Sequence, residues 1–241
     1  MHPLDAIRPT AAPLPGRAFI RQDWQDAVFL HWRVPAAVVA PLLPAGTRPD
    51  EFDGSSWVGL IAFVLADTTI PPLPTLHRLG TFVEINVRLY SVDAGGRRGV
   101  VFRSLEAGAL FAVLAARVGL GLPYQWAEAH VHRAGTEIDY RSHRHGLRQP
   151  ATRIRARDDG PLAQPDALTH FLTARWGMHV RRFGATRFWP NEHGPWPLHR
   201  ATLLHLDDQL LAAAGLPGIA GTPPESVLFS PGVRSRFAFP A

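Results

Sequence analysis

The stretch from Phe82 to Tyr90 constrains the fold of this chain more than any other. Phe82, Glu84, Asn86, Arg88 and Tyr90 alternate with Val83, Ile85, Val87 and Leu89. On an extended strand, period two sends the two sets to opposite faces. One face is wholly apolar and needs a core. The other carries a carboxylate, an amide, a guanidinium and a phenol. Two architectures accommodate such a strand. An antiparallel sheet can leave the polar face in water. A barrel can instead turn it inward, where its groups converge on a small polar ligand. Alternation alone leaves both open.

The rest of the chain sets this strand among many short ones. Strands are predicted at Ala27–Arg33, Trp57–Leu65, Gly99–Leu105, Tyr124–Arg133, Glu137–His143, Ala151–Arg157, Ser226–Ser230 and Val233–Ala238. Arg153, Arg155 and Arg157 share one face of theirs. Helices are predicted at Ala36–Leu43, Ala107–Val118, Asp166–Trp176 and Leu206–Ala214, with Gly119, Gly121 and Gly215 as stops. Asp53-Gly54 and Asp93–Gly96 read as turns. Thr69–Leu79, with its prolines, and Asn191–His199 read as loops. The helices are too few for a long parallel α/β sheet. The fold class expected is α+β, mainly β: an antiparallel barrel or sandwich forming a single domain over 1–241, with 1–16 a loosely ordered segment.

Composition excludes several chemistries. The chain has 25 basic residues, every one of them Arg, and no Cys. No side-chain amine can form a Schiff base, and no thiolate can attack or bind zinc. The Lys of a phosphate loop is missing, and no Ser sits in a G-x-S-x-G elbow. Gly119-Leu-Gly121 ends a helix and so is no dinucleotide fingerprint. Without Cys, a cytoplasmic location is expected. The Pro- and Ala-rich start lacks the apolar core of a signal peptide, and no membrane segment is expected. The net charge of +5 is spread along the chain, which argues against nucleic acid as a partner. His130-Val-His132 and His143-Arg-His145 could each aim two rings at one face. Arg133, Arg141, Arg144 and Arg148 surround them and oppose a cation. No metal and no cofactor are therefore expected.

Several strings occur together in order: His31-Trp-Arg-Val-Pro35, Leu42-Leu-Pro-Ala-Gly46, Phe52-Asp-Gly-Ser-Ser-Trp-Val-Gly59, Glu84–Tyr90, Gly121-Leu-Pro-Tyr124 and Pro195-Trp-Pro-Leu-His199. In these the chain resembles the YqjF-like family of bacterial proteins, from about Ala27 to Val233. The resemblance implies the acetoacetate-decarboxylase-like fold, a cone-shaped antiparallel β-barrel with a central pocket and a few flanking helices. It also implies that the Glu84 face turns inward. In acetoacetate decarboxylases the segment after the helix reads Gly-x-Pro-Lys-Lys, and one Lys of that pair forms the Schiff base. Here it reads Gly121-Leu-Pro-Tyr124-Gln125, so Tyr124 and Gln125 stand where the lysines stood. Glu84 matches one pocket glutamate; the other falls near Leu60, where no Glu stands. Lysine-dependent decarboxylation is thus excluded.

The site expected has Glu84 as acid or base, Arg88 as an anion clamp and Tyr124 as a hydrogen-bond donor. Asn86, Tyr90, Trp57, Phe102, Gln125, Trp126 and His31 are the expected ligand-binding residues. The expected partner is a small molecule, an organic acid or oxo compound, acted on by a lyase, hydratase or isomerase. The alternative is a non-catalytic binding or sensing domain on an enzyme-derived fold. A homo-oligomer is compatible with either.

Overall fold

The computed structural model describes residues 4–72, 75, 77 and 80–240. Part of the expected loop Thr69–Leu79 and the first residues of the N-terminal segment lie outside them. The strands are β1 (Ile20–Val34), β2 (Thr47–Pro49), β3 (Ser56–Thr69), β4 (Phe82–Asp93), β5 (Arg98–Ala107), β6 (Tyr124–Ala134), β7 (Glu137–Arg144), β8 (Ala151–Pro161), β9 (Gly177–Arg182), β10 (Ala185–His193), β11 (His199–Asp208) and β12 (Ser226–Phe237). The helices are α1 (Ala36–Val39), continued by a 3-10 turn at Ala40–Leu42, α2 (Leu110–Leu120), α3 (Ala167–Thr173) and α4 (Leu210–Ala213), with a further 3-10 turn at Ile219–Gly221.

All twelve strands form one sheet, ordered β10-β9-β5-β6-β7-β8-β11-β12-β1-β3-β4-β2, with further pairings of β10 to β12 and β5 to β4. Those two extra pairings close the sheet on itself twice. One closure runs β5-β6-β7-β8-β11-β12-β1-β3-β4. The other runs β12-β1-β3-β4-β5-β9-β10. They share β1, β3, β4, β5 and β12, so both faces of the shared strands are covered. Pairing is antiparallel except where β5 meets β6 and β9.

The alternation of β4 is what the double closure needs. Val83, Ile85, Val87 and Leu89 enter the first closure with Val28, Leu30, Val58 and Leu60, against Ile138, Tyr140, Ile154 and Ala156. Glu84, Asn86, Arg88 and Tyr90 point the other way. There, Trp57, Tyr90, Tyr124, Phe171, Met178 and Trp189 pack as a second core, and Phe29, Ile61, Phe63 and Leu198 as a third. Glu84 and Asn86 are each 3% exposed, so a solvent-facing sheet is ruled out.

Several boundaries differ from the sequence reading. The expected loop Asn191–His199 is partly strand, because β10 extends through Pro190 and β11 begins at His199. Pro190 is tolerated there: it lies opposite Gly177, and its carbonyl accepts from the Ala238 N–H at 3.2 Å. Leu206 belongs to β11, opposite Ile154, rather than to a helix. α4 starts only after Asp208, whose Oδ2 accepts from the Leu211 N–H at 2.9 Å as a cap. The two last expected strands are one, β12. α2 starts at Leu110, because Ala107 still pairs with Glu84 in the sheet. It ends at Gly121, whose φ of 73° and N–H to the Ala116 and Arg117 carbonyls form a left-handed cap. In the N-terminal segment, the Asp5 N–H donates to Gly96 O at 3.0 Å and Arg8 O accepts from Trp176 Nε1 at 2.9 Å. Among the described residues, no helix is long and apolar enough to cross a membrane.

Candidate functional site

Strands β1, β3, β4 and β6 build the site, with β5 joining the last two. Register sets Phe63, Ile61 and Gly59 of β3 opposite Glu84, Asn86 and Arg88 of β4. On β1, Phe29 and His31 lie opposite Ile61 and Gly59. β5 delivers β6 beside β4, with Leu105 opposite both Asn86 and Tyr124. The Leu122-Pro123 step after the α2 cap thus ends with the Tyr124 ring reaching Glu84.

At one end of this face, Tyr124 Oη donates to Glu84 Oε2 at 2.6 Å, and Asn86 Nδ2 donates to Oε1 at 3.2 Å. Burial dominates the carboxyl: it raises the pKa from 4.5 to about 7, against the two hydrogen bonds, which lower it. Burial and the Glu84 charge push the Tyr124 phenol well above its usual range. Near neutral pH, Glu84 can therefore either hold or accept a proton, while Tyr124 keeps its own. Asn86 Oδ1 is buried without a partner.

At the other end, Arg88 Nη2 donates to Leu172 O at 3.0 Å and Nε to Tyr90 Oη at 3.3 Å; Tyr90 Oη donates to the same carbonyl at 2.9 Å. His31 is fully buried beside Arg88, and neither ring nitrogen has a partner. Burial, then the charges of Arg88 and Arg175, drive its pKa well below the usual range, so the imidazole is neutral. Glycine at 59 makes this end possible. A Cβ there would lie 3.1 Å from His31 Cδ2 and 3.3 Å from both Arg88 Cγ and Nε. Gly59→Val is expected to displace Arg88 from Leu172 and to cost about 1–3 kcal/mol by overpacking, with Gly59→Ala milder. Urea melts of the two variants check this, and a Gly59→Val protein as stable as wild type would refute it.

A buried ion cluster anchors the carbonyl that Arg88 uses. Asp50, 1% exposed, accepts from Arg98 Nη1 at 2.8 and 2.9 Å and from Arg175 Nη1 at 2.5 Å. Arg175 Nε in turn donates to Phe171 O at 2.7 Å, next to Leu172. The guanidinium lies 4.8 Å from the Tyr90 ring centre and 4.3 Å from that of Phe171. Neither Asp50 nor Arg175 was legible as part of the site, because their partners are far away in sequence.

The other expected residues divide. Trp57 is fully buried on the site face, with its indole N–H unpartnered and Arg33 over its ring. Phe102 sits half-buried opposite Arg88. Gln125 pairs opposite Glu106 on the reverse face of β6 from Tyr124. Trp126 is 42% exposed and packs on the His145 ring, with 3.9 Å between centres, so it lines no interior. The histidine pairs lie on an outer sheet face, where a cleft of about 240 Å³ is lined by His130, Arg141, His143 and Arg153 among others. His130 pairs with Glu128 at 3.0 Å there. Among the described residues, no His, Cys, Asp or Glu cluster could hold a metal ion. His193 is a further buried histidine. It is ringed by Trp24, Trp176 and Trp196, and burial lowers its pKa to about 4. A hollow of about 50 Å³ beside Trp176 and Trp196 is lined also by Pro9 and His170.

Known proteins share this architecture. An acetoacetate decarboxylase-like enzyme from Sphingomonas wittichii RW1 is 14% identical, with a TM-score of 0.63 over 94% of this chain and 93% of its own. The enduracididine biosynthesis enzyme MppR, solved in complex with pyruvate, is 16% identical, with a TM-score of 0.56 over 92% of this chain and 88% of its own. These likenesses establish the acetoacetate-decarboxylase-like fold. At the level of sequence, the protein YqjF of Bacillus subtilis (strain 168) is 32% identical over 184 residues, 76% of each chain. Residues 21–234 match the family DUF2071, described as an uncharacterized conserved protein. With that span running from β1 to β12 and taking in the whole Glu84 face, the chain belongs to the DUF2071 family.

Proposed function

We propose that this protein binds a small oxo acid against the Glu84 face and moves a proton on it without a covalent amine intermediate. The observation that carries this reading is the buried Glu84–Tyr124 contact of 2.6 Å, with the carboxyl poised at about 7. A buried acid tuned to neutral pH is costly to a fold and suits proton transfer. Glu84 would take a proton from the carbon next to the carbonyl and return it. Tyr124 would turn its hydroxyl from Glu84 to the developing enolate oxygen. Arg88, beside the neutral His31, would hold the carboxylate. The pyruvate complex of MppR and the decarboxylase-like relatives support a small oxo acid as the ligand class. Because the chain has no Lys, the reaction class is isomerase, hydratase or lyase chemistry of an enolate.

The test is exchange in D2O, followed by NMR, of the protons on the carbon next to the ketone: C3 of pyruvate and related 2-oxo acids, C2 and C4 of 3-oxo acids. Wild type is expected to speed exchange, and Glu84→Gln to slow it by about 10²–10⁴-fold, with Tyr124→Phe also impaired. A ligand that raises the melting temperature but never exchanges would favour the second reading, a binding or sensing domain. The missing Lys is the feature that favours it. No binding and no exchange across the panel would refute both.

A further inference from the structure

The wall that carries Tyr124 has an uncovered outer side. Along α2, Leu110, Phe111, Leu114 and Val118 are 42%, 82%, 51% and 74% exposed, while Val113 on the opposite side is buried. Phe183, in the β9–β10 turn, is 90% exposed. It joins the same patch through Arg182, which donates to the Val118 and Gly119 carbonyls and lies over the Phe183 ring, 4.6 Å from its centre.

We propose that this patch is where two copies of the chain associate, their α2 helices packing antiparallel about a twofold axis at Leu114. Three features of the patch select a second copy. First, the stripe is self-complementary. Antiparallel pairing at Leu114 sets the large Phe111 of one copy on the smaller Val118 of the other, and an isologous contact of this kind closes. Second, its charges do not collide. α2 contains no carboxylate and a single Arg, Arg117. In the pairing each Arg117 lies beside Phe111 of the other copy, where its cation can sit over the ring. The two Arg117 positions are about 9 Å apart along the helix axis. Arg182 is already engaged by carbonyls of its own chain. Third, the area is sufficient. These exposed side chains present on the order of 600 Å² of apolar surface, the upper end of what a monomer leaves in one patch and most of the ~800 Å² a standard interface takes from each partner. The contact would brace the helix whose C-terminal cap leads into Tyr124.

Sedimentation of the intact protein tests the proposal. Wild type is expected to be a dimer in the micromolar range, and Phe111→Asp to self-associate at least about a hundredfold more weakly. Phe111 is exposed, so its replacement leaves the core untouched. Because the chain has no Cys, Leu114→Cys supplies its only thiol. Mild oxidation should join two copies through it, since residues on the twofold axis come within disulfide reach. Leu147→Cys, fully exposed outside the patch, should not cross-link. A wild type monomeric throughout would overturn the proposal. So would a dimer indifferent to Phe111→Asp, or a monomer whose binding to phosphatidylserine-containing vesicles is lost in Phe111→Asp.

Discussion

Replacing Asp50 with alanine is expected to lower the unfolding free energy by about 3–5 kcal/mol, the cost of removing one partner from a buried ion pair. Two arginines lose their counter-charge at once, and they do not lose it equally. The Arg98 side chain is 16% exposed and also reaches Asp5 O, so water can take up part of its charge. Arg175, with a side chain 4% exposed, has no such outlet, and its Nη2 is already unpartnered. The damage should spread to the site. Arg175 fixes the Phe171 carbonyl, and the neighbouring Leu172 carbonyl is what Arg88 and Tyr90 share. Asp50→Asn keeps one acceptor oxygen and should fall between. Urea unfolding at pH 7 gives the numbers. A loss below about 1 kcal/mol for Asp50→Ala, the range of an exposed pair, would mean that the cluster does not anchor the Leu172 carbonyl.

That cluster also marks what the sequence could and could not disclose. The β4 alternation was legible because both its sets are local: period two assigns Glu84, Asn86, Arg88 and Tyr90 to one face wherever the strand goes. Which face meets water depends on β9 and β10, and those carry no clear alternation. Gly177–Arg182 ends in two arginines, and β10 contains Pro190. The second closure, and with it the burial of Glu84, was therefore reachable only through the family resemblance. The resemblance put Glu84 and Tyr124 in one site but did not announce the bond between them, which spans 40 residues. Asp50 and Arg175 are 125 residues apart, and nothing in the spacing of either announces the other. Trp126 shows the opposite error. It was expected among the ligand-binding residues, but it is 42% exposed and its ring rests on His145 instead.

The second large effect is a pH dependence that Glu84 alone should impose. Its folded pKa of about 7 lies above the ordinary 4.5, so between those values the folded state holds a proton that the unfolded chain has released. Stability rises with pH where the unfolded state binds more protons. Here the folded state binds more, so the Glu84 contribution falls as pH climbs from about 4.5 through about 7 and is flat above. A shift of this size corresponds to about 3 kcal/mol in full, of which about 2–3 kcal/mol falls between pH 5 and 8. Other groups pull the opposite way. Asp139, held well below the usual carboxylate range by Arg153 and Arg141, loses stability only in acid. Such terms are common to wild type and Glu84→Gln and cancel in their difference. The variant keeps an amide in place of the protonated acid and cannot ionise. Its stability relative to wild type should therefore improve by about 2–3 kcal/mol on going from pH 5 to pH 8, while proton exchange on the ligand is lost. Paired denaturation curves at the two pH values measure the difference directly. A constant offset would place the Glu84 pKa near that of a solvated carboxyl and remove the group from the chemistry proposed for it. A difference of the opposite sign would mean that the Tyr124 and Asn86 hydrogen bonds to the charged form outweigh burial, leaving Glu84 a fixed anion beside Tyr124 rather than a group that can trade a proton with a substrate.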